Sequence, residues 1–166
     1  MRSPFVVNVA DLATPGSQRR DQLAVPVDWA LDLSRIEPDP PLSAELVLQS
    51  VSGGLLVTGR VRAAVRHTCH RCLIEFVEPH DVAISSLFMA EPDDESYLLD
   101  GDEVDLEQML RDEVLLAMPL LPRCGPSCPG VVSSPGTDLN TIAAGDDEDV
   151  SASPFAVLRD LLDSGT

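Results

Sequence analysis

The stretch that decides the fold is Leu55–Cys72, which reads LLVTGRVRAAVRHTCHRC. Five of its apolar residues share one parity: Leu55, Val57, Val61, Ala63 and Val65. Its polar members share the other: Thr58, Arg60, Arg62, Arg66 and Thr68. A period of two is typical of a strand with one buried face and one solvent face. The pattern therefore predicts a long strand to Thr68, followed by a cysteine turn.

The sequence on either side of this strand predicts further strands. Ala44–Val51 is a strand-like run, and Gly53-Gly54 after it predicts a tight hairpin turn. Strand-prone residues return from Leu73 to Met89, where Pro79 predicts a bulge or an edge position. Two shorter candidates lie upstream: Phe5–Val9 and Leu23–Val27.

One helix is predicted from about residue 106 to 117. Asp105 is placed to cap it, Gln108 completes a capping box, and Pro119 ends it. The acidic stretch from Glu91 to Glu103 before it is expected to be a loop. The helical positions taken to face the core are Leu106, Met109, Leu110, Glu113, Leu116 and Ala117.

These elements predict an α+β fold, with an antiparallel, curled β-sheet and one main helix packed on it. We expect residues 1–122 to form a single domain. Residues 123–166 are rich in Cys, Pro, Gly and acids, and we expect them to be irregular apart from a short terminal helix from Ser153 to about Leu162.

Charge is distributed unevenly along the chain. Its 166 residues carry 28 Asp and Glu against 11 basic residues, all Arg, for a formal net charge of −17. Residues 1–90 have a net charge of −2, and residues 91–166 have one of −15. This balance argues against a generic nucleic-acid coat and against docking on an anionic membrane. The two halves therefore need separate interpretation.

No targeting or membrane segment is predicted. The apolar run near the start stops at Asn8, and the longest apolar stretch, Val114 to Pro122, falls far short of the roughly 20 residues that span a bilayer. We expect a cytoplasmic protein, in which cysteines are more often thiols or metal ligands than disulfides.

The cysteines form two short-spaced pairs. Cys69 and Cys72 have C-x2-C spacing, and Cys124 and Cys128 have C-x3-C spacing. Two such pairs can supply the four thiolates of a structural zinc site. Plain reduced thiols and a redox pair remain open, because C-x-x-C is also a thiol–disulfide motif. His67 and His70 are close enough in sequence to substitute as ligands.

Four arginines cluster within twelve residues: Arg60, Arg62, Arg66 and Arg71. Three lie on one side of the predicted strand, at a spacing that suits successive RNA phosphates or an acidic protein surface. The alternative is a solvated sheet face, or cross-strand pairing with Glu45 or Glu75.

A second candidate surface is the acidic segment 91–113, which holds eleven acids. Three interpretations stay open: mimicry of nucleic acid, binding of a basic ribosomal or DNA-binding protein, and solubility alone. No phosphate loop, nucleophile elbow or metalloprotease motif is present, so the sequence predicts no enzymatic activity and no small-molecule substrate.

Several motifs, taken in order, resemble the YceD family of bacterial large-ribosomal-subunit RNA accumulation proteins. The matching pieces are Val7–Leu12, Cys69–Cys72, Asp105–Leu120, Cys124, Cys128, Gly136–Asn140 and Ser153–Leu158. The resemblance implies a ribosome-biogenesis factor without catalytic activity that supports synthesis, processing or accumulation of the 23S rRNA. It implies large-subunit rRNA or a pre-ribosomal particle as partner, and metal at the four cysteines.

The chain departs from the family pattern downstream of Cys128. Many members have a further C-x-x-C-G there, whereas this chain has Val132 and Pro135 at the cysteine positions. Either the four remaining cysteines form one site, or metal has been lost. Two other functions remain open: an acidic adaptor for a basic ribosomal protein, and a thiol or zinc redox protein.

Overall fold

The computed structural model describes residues 3–130. Within that range the chain forms nine strands, one short 3-10 turn (Ala10–Leu12) and one α-helix, α1 (Glu107–Ala117). In chain order the strands are β1 (Val6–Asn8), β2 (Gln18–Val25), β3 (Ala30–Leu31), β4 (Ser34–Ile36), β5 (Leu42–Val51), β6 (Gly54–Thr68), β7 (Glu75–Met89), β8 (Ser96–Asp100) and β9 (Glu103–Asp105).

Three long antiparallel strands form the centre of the sheet. β5 pairs with the first part of β6, and β6 pairs with β7 along the full 15 residues of each strand. The turn between β5 and β6 is Ser52-Gly53, one residue earlier than predicted, because Gly54 already pairs with Val51. Gly53 has a φ of 89°, which glycine adopts without steric cost.

Shorter strands extend the sheet on both sides into a curled half-barrel. β2 pairs with β5, while β4, with β3 beside it, pairs with the end of β6 that β5 does not reach. Beyond β7 the order is β8, β9, β1. β2 runs from Gln18 to Val25 rather than from Leu23 to Val27, because Pro26 cannot donate to the ladder with β5.

The sheet is mixed, so the expectation of a purely antiparallel sheet was wrong. β8 runs parallel to β7, with three residues of β7 (Leu87–Met89) paired to Ser96–Leu98. The expected acidic loop contains β8 and β9, which form an antiparallel hairpin around Gly101. The parallel pair is only three residues long, so the chain has to run back by roughly 10 Å between the end of β7 and the start of β8. Residues 90–95 are long enough to cover that distance.

The alternation in β6 is confirmed. Its odd-numbered apolar side chains are buried, whereas Arg60, Arg62 and Arg66 on the opposite face are exposed. The buried face joins β5, β7 and α1 in one core. The fully buried members include Leu42, Leu46, Leu48, Val57, Val61, Val65, Phe88, Leu106, Met109 and Leu110.

The predicted helix is confirmed at Glu107–Ala117. The N-cap residue is Leu106, which makes no side-chain cap hydrogen bond, so the predicted capping by Asp105 was wrong by one position. The Asp105 carboxylate still accepts a hydrogen bond from the Glu107 backbone N–H at 2.9 Å, which satisfies one of the free donors at the helix start. The buried face is Met109, Leu110 and Val114. Leu116, predicted to face the core, is 85% exposed although it lies two turns after buried Met109, so the contact between α1 and the sheet does not include this position.

Pro79 lies on an edge of the sheet. The sequence predicted a bulge or an edge position, and the second alternative is the one observed. The Glu37 N–H donates to the Ala64 carbonyl, so the backbone polar groups of Ala64 point away from β7. Pro79, which pairs with Ala64, therefore directs its backbone nitrogen away from β6. Because the residues of β7 before Leu87 pair only with β6 in the described chain, the missing N–H removes no ladder bond.

The compact unit that contains the sheet extends to Cys128 and therefore includes both cysteine pairs. The terminal helix predicted from Ser153 lies outside the described residues. The division of the chain after residue 122 stays a prediction.

Candidate metal centre

The first cysteine pair lies in a tight turn at the end of β6. The Cys69 N–H donates to the Ile74 carbonyl, and the Leu73 N–H donates back to the Cys69 carbonyl, both at 2.9 Å. These bonds close the turn Cys69–Ile74, called the knuckle below. Leu73 takes a φ of 61°, a left-handed conformation that is uncommon for residues other than glycine. The turn directs Cys69 inward and leaves Cys72 half-buried.

The second pair reaches the knuckle through the segment that follows α1. The His70 N–H donates to the Pro122 carbonyl at 3.0 Å, and His70 Nδ1 lies 2.9 Å from the same oxygen. This contact brings the chain from Pro122 onward against the knuckle. A turn in which the Cys128 N–H donates to the Gly125 carbonyl then returns Cys128 to the buried side.

All four cysteine sulfurs meet in one cluster, with every Sγ within 4.8 Å of the others. The Sγ atoms of Cys69 and Cys128 lie 3.7 Å apart, and those of Cys72 and Cys124 lie 3.6 Å apart. Thiolates about 2.3 Å from a tetrahedral zinc ion are separated from one another by about 3.8 Å. The described cluster is therefore compatible with zinc without large movement, and it needs no downstream cysteine pair.

Electrostatics within the cluster favour a cation. Burial raises the pKa of the Cys69 thiol, but backbone N–H groups of Cys124, Cys72 and Arg71 outweigh this effect and lower the pKa to about 5. The sulfur contact with Cys72 raises the pKa of Cys124 to about 12. Anionic sulfurs in contact repel each other, so the Cys124 thiol stays protonated unless a positive charge joins the cluster.

His67 and His70, which the sequence allowed as alternative ligands, do not belong to the cysteine cluster. His67 is fully buried on the core face of β6, and its Nδ1 lies 2.7 Å from Ser34 Oγ. Its Nε2 lies 3.4 Å from a carboxylate oxygen of Glu78. Burial lowers the pKa of His67, which keeps the ring neutral. The parity of His67, shared with Val65, was the sequence signal for its burial.

The arginines of β6 are paired with carboxylates. The pairs are Arg60 with Asp81, Arg62 with Glu45 and Asp81, and Arg66 with Glu37 and Glu75. The sequence had left open pairing with Glu45 or Glu75, and both partners are present. The hydrogen bond from Arg66 lowers the pKa of Glu37. Arg71 lies half-buried in the knuckle. The assignment of these four arginines to RNA contact stays a prediction.

Away from the knuckle, the acidic residues line a groove of about 600 Å³ between β8, β9 and α1. Its acidic lining is Asp100, Glu103, Asp105, Glu107 and Asp112. Arg111 is the basic residue of this lining, and the Tyr97 hydroxyl donates to Asp112 at 3.3 Å. The groove was not foreseen, because the strands that form half of it had been predicted as a loop.

Comparison with known proteins identifies the family. The family model described as the large ribosomal RNA subunit accumulation protein YceD matches residues 57–162, from β6 through both cysteine pairs. The chain belongs to the YceD family. The description of this YceD family implies a role in accumulation of the large-subunit ribosomal RNA, and no solved structure gives a significant match to the chain.

The curated relatives of this YceD protein are mycobacterial. An uncharacterized protein of Mycobacterium tuberculosis is 36% identical over 149 residues, which is 82% of this chain and 72% of the relative. An uncharacterized protein of Mycobacterium leprae is 32% identical over 172 residues, covering 96% of this chain and 78% of the relative. Among the residues described for this chain, no helix has the length and apolar character needed to cross a bilayer.

Proposed function

We propose that this YceD protein is a cytoplasmic, non-catalytic factor for accumulation of the 23S rRNA, whose domain is held together by a structural zinc ion at Cys69, Cys72, Cys124 and Cys128. The observation that carries the proposal is the cluster of four sulfurs, drawn from two distant segments of a chain in this family. Zinc would supply the positive charge that the thiolates need and would join the knuckle to the segment after α1.

A set of four thiolates supports a structural role for the ion rather than a catalytic one. Catalytic zinc sites keep one position open for water or substrate, whereas four protein ligands close the coordination sphere. Cys69 and Cys128 are buried, which further limits access to the ion from that side. The proposed factor therefore acts by binding, and the ion would stabilise the conformation of its binding surface.

Arg60, Arg62 and Arg66 lie on one face of β6, called the arginine face below. Direct RNA binding by this face would require the arginines to exchange their carboxylate partners for RNA phosphates. The ion pairs of Arg60, Arg62 and Arg66 lie at the surface, where water screens them, so each contributes little to stability. RNA phosphates can therefore replace the carboxylates at small cost. Four carboxylates (Asp81, Glu45, Glu37 and Glu75) pair with the three arginines, so the face has no net positive charge and RNA binding would need a second contact or a partner protein.

The acidic groove favours a second candidate function, an adaptor for a basic ribosomal protein. Five acids and one arginine line the groove, so its charge complements an Arg- or Lys-rich segment. An adaptor of this kind supports rRNA accumulation without touching RNA. The two candidates differ in which surface they need.

Complementation after depletion in the host tests the proposal. We expect depletion to reduce mature large-subunit rRNA, measured relative to small-subunit rRNA, and the wild-type gene to restore it. If depletion leaves the levels of precursor and mature large-subunit rRNA unchanged, the proposed function is wrong. Zinc content, counted by native mass spectrometry of the purified chain, tests the metal centre separately, with about one ion per chain expected.

Two sets of variants separate direct RNA contact from the adaptor function. Direct RNA contact predicts that Arg60→Ala, Arg62→Ala and Arg66→Ala together abolish rescue. Arg20→Ala, which changes an exposed arginine of β2, should not. The adaptor function predicts loss of rescue with a second triple variant and survival of the arginine variant. The second variant combines Asp100→Asn, Glu103→Gln and Glu107→Gln.

A further inference from the structure

We propose that Cys72 and Cys124 form an oxidation site, at which a hydroperoxide converts the two thiolates to a disulfide and expels the metal ion. This inference rests on the proposed zinc centre and adds a mode of regulation to it. Cys69 and Cys128 remain reduced during the reaction. The centre is thus an oxidant-labile zinc site with a defined reactive side.

The two sulfur pairs differ in their access to solvent. Cys69 is 0% and Cys128 is 6% exposed, so burial limits the access of a solute to this inner pair. Cys72 is half-buried and Cys124 is exposed. Oxidation of a thiolate depends on access as well as on its ionisation, so attack is directed to the outer pair.

The outer pair is also placed to form a bond. Its sulfurs lie 3.6 Å apart, and a disulfide bond of about 2.05 Å requires them to approach by about 1.5 Å. Both residues lie outside the paired strands. Cys72 belongs to the knuckle, and Cys124 belongs to the turn around Gly125. Small movements there break no sheet pairing.

The reaction conserves atoms and electrons. One outer thiolate attacks the peroxide, so that an S–O bond forms, the O–O bond breaks and, after protonation, water or an alcohol leaves. The second outer thiolate attacks the resulting sulfenic sulfur, an S–S bond forms, and hydroxide leaves as water after protonation. Two electrons pass from the sulfurs to the peroxide. A zinc ion at the cluster would then have only the thiolates of Cys69 and Cys128 as protein ligands and would be released.

Oxidation would therefore exchange one link for another between the same two segments. The knuckle and the segment after α1 stay joined by the disulfide, while the ion and the ionic cluster are lost. Thiol reductants and zinc reverse the change. The oxidation state of this pair would set the local shape of the knuckle.

The test uses the full-length, reduced, zinc-loaded protein and hydrogen peroxide. Zinc release is followed with a chromogenic chelator, and disulfides are mapped by mass spectrometry of alkylated peptides. We expect loss of zinc in step with a mass decrease of about 2 Da and a Cys72–Cys124 disulfide, at a rate at least about tenfold above thiol loss at Cys69 or Cys128. A disulfide of the buried pair, sulfinic products without a disulfide, or zinc retained after oxidation would overturn the inference.

Variants and the metal content separate this inference from the zinc proposal. Cys72→Ser with Cys124→Ser should form no disulfide, whereas the matched pair Cys69→Ser with Cys128→Ser should still form the outer one. Zinc is counted before peroxide is added, so a protein without zinc contradicts the proposed centre. In the zinc-loaded wild type, peptide mapping by itself decides which pair oxidises, and it does not depend on whether the variants fold.

Discussion

Leu73 occupies a backbone conformation that ordinarily belongs to glycine. Its φ of 61° closes the knuckle after Cys72, and its side chain is 66% exposed. A left-handed conformation costs a residue with a Cβ about 1–2 kcal/mol. The exposed side chain offsets little of that cost, so the leucine destabilises the turn that positions two of the four sulfurs.

Leu73→Gly should therefore stabilise the protein. We expect the free energy of unfolding to rise by about 0.5–1 kcal/mol, after allowance for the greater freedom of glycine in the unfolded chain. The measurement is urea unfolding of the zinc-loaded protein. Ile74→Gly is the matched control, because Ile74 is similarly exposed and has no positive φ. An equal gain at both positions would contradict the explanation from backbone conformation.

His67 is a second residue whose surroundings control its behaviour. The ring is buried, Ser34 Oγ lies against Nδ1, and Glu78 lies 3.4 Å from Nε2. In the neutral ring, Ser34 donates to Nδ1 and the Nε2–H faces Glu78. Burial lowers the pKa of His67 below its value in the unfolded chain.

This shift predicts a loss of stability in acid. Above an unfolded-state pKa of about 6.5 both states are neutral, and below it the unfolded chain binds the proton first, so the free energy of unfolding falls as pH decreases further. We expect a smaller fall in His67→Gln, which cannot titrate, between about pH 7.5 and pH 5.5. Unfolding of both proteins with zinc bound is the comparison, since acid also weakens thiolate ligation. Identical pH dependence would contradict the assignment.

At the scale of elements, Gly59 interrupts the apolar series of β6 for a reason visible only in the sheet. It has the parity of Val57 and Val61, but a Cβ there would lie 2.1 Å from the Glu45 carbonyl oxygen of β5. The backbone of β5 approaches β6 closely at this point. Glycine therefore permits the pairing that builds the central hairpin.

Gly59→Ala should disrupt that hairpin. The contact is with backbone, which cannot turn aside as a side chain can, so we expect a loss of about 2–4 kcal/mol in the free energy of unfolding. Gly101→Asn is the control, because no atom lies within 4 Å of its Cβ position and asparagine tolerates its φ of 58°. Thermal unfolding followed by circular dichroism measures both. A tolerated Gly59→Ala would mean that the strands separate locally at little cost.

The helix and the sheet are joined by polar contacts as well as by the core. Ser86 Oγ donates to Glu113 at 2.9 Å, and Glu113 lies on the predicted core-facing series of α1. The periodicity indicated this helical face correctly at Met109 and Leu110. It could not show that Leu116 lies outside the contact, because the width of the buried stripe depends on how the sheet curls beneath the helix.

At the scale of the whole molecule, the two cysteine pairs connect parts of the chain that are far apart in sequence. Cys72 and Cys124 are separated by 52 residues, and the intervening chain contains β7, β8, β9 and α1. A metal ion at the cluster would close a loop around all these elements. Closing a long loop restricts the unfolded chain and so stabilises the fold.

Removal of the metal should therefore loosen both segments that carry cysteines. With a strong chelator we expect the melting temperature to fall by at least about 5 °C, and hydrogen exchange to rise in the knuckle and around residues 119–128. Exchange within the β5–β6 hairpin should change less, since its pairing does not involve the cluster. Cys69→Ser, once stripped of any remaining metal, should not respond to the chelator. A wild-type melting temperature indifferent to the chelator would contradict a stabilising ion.

Local pattern determined much of this protein by itself. The two faces of β6 and the extent of α1 follow from residues close together in the chain, because strand and helix periods are local properties. Membership of the YceD family follows from the order of short motifs along the chain. Tertiary structure decided the rest. The parallel β8, the groove it helps to form, the carboxylate partners of the arginines and the meeting of the four sulfurs depend on contacts between distant segments. Such contacts are set by how the sheet curls and by which backbones can approach, and neither is a property of any short stretch of sequence.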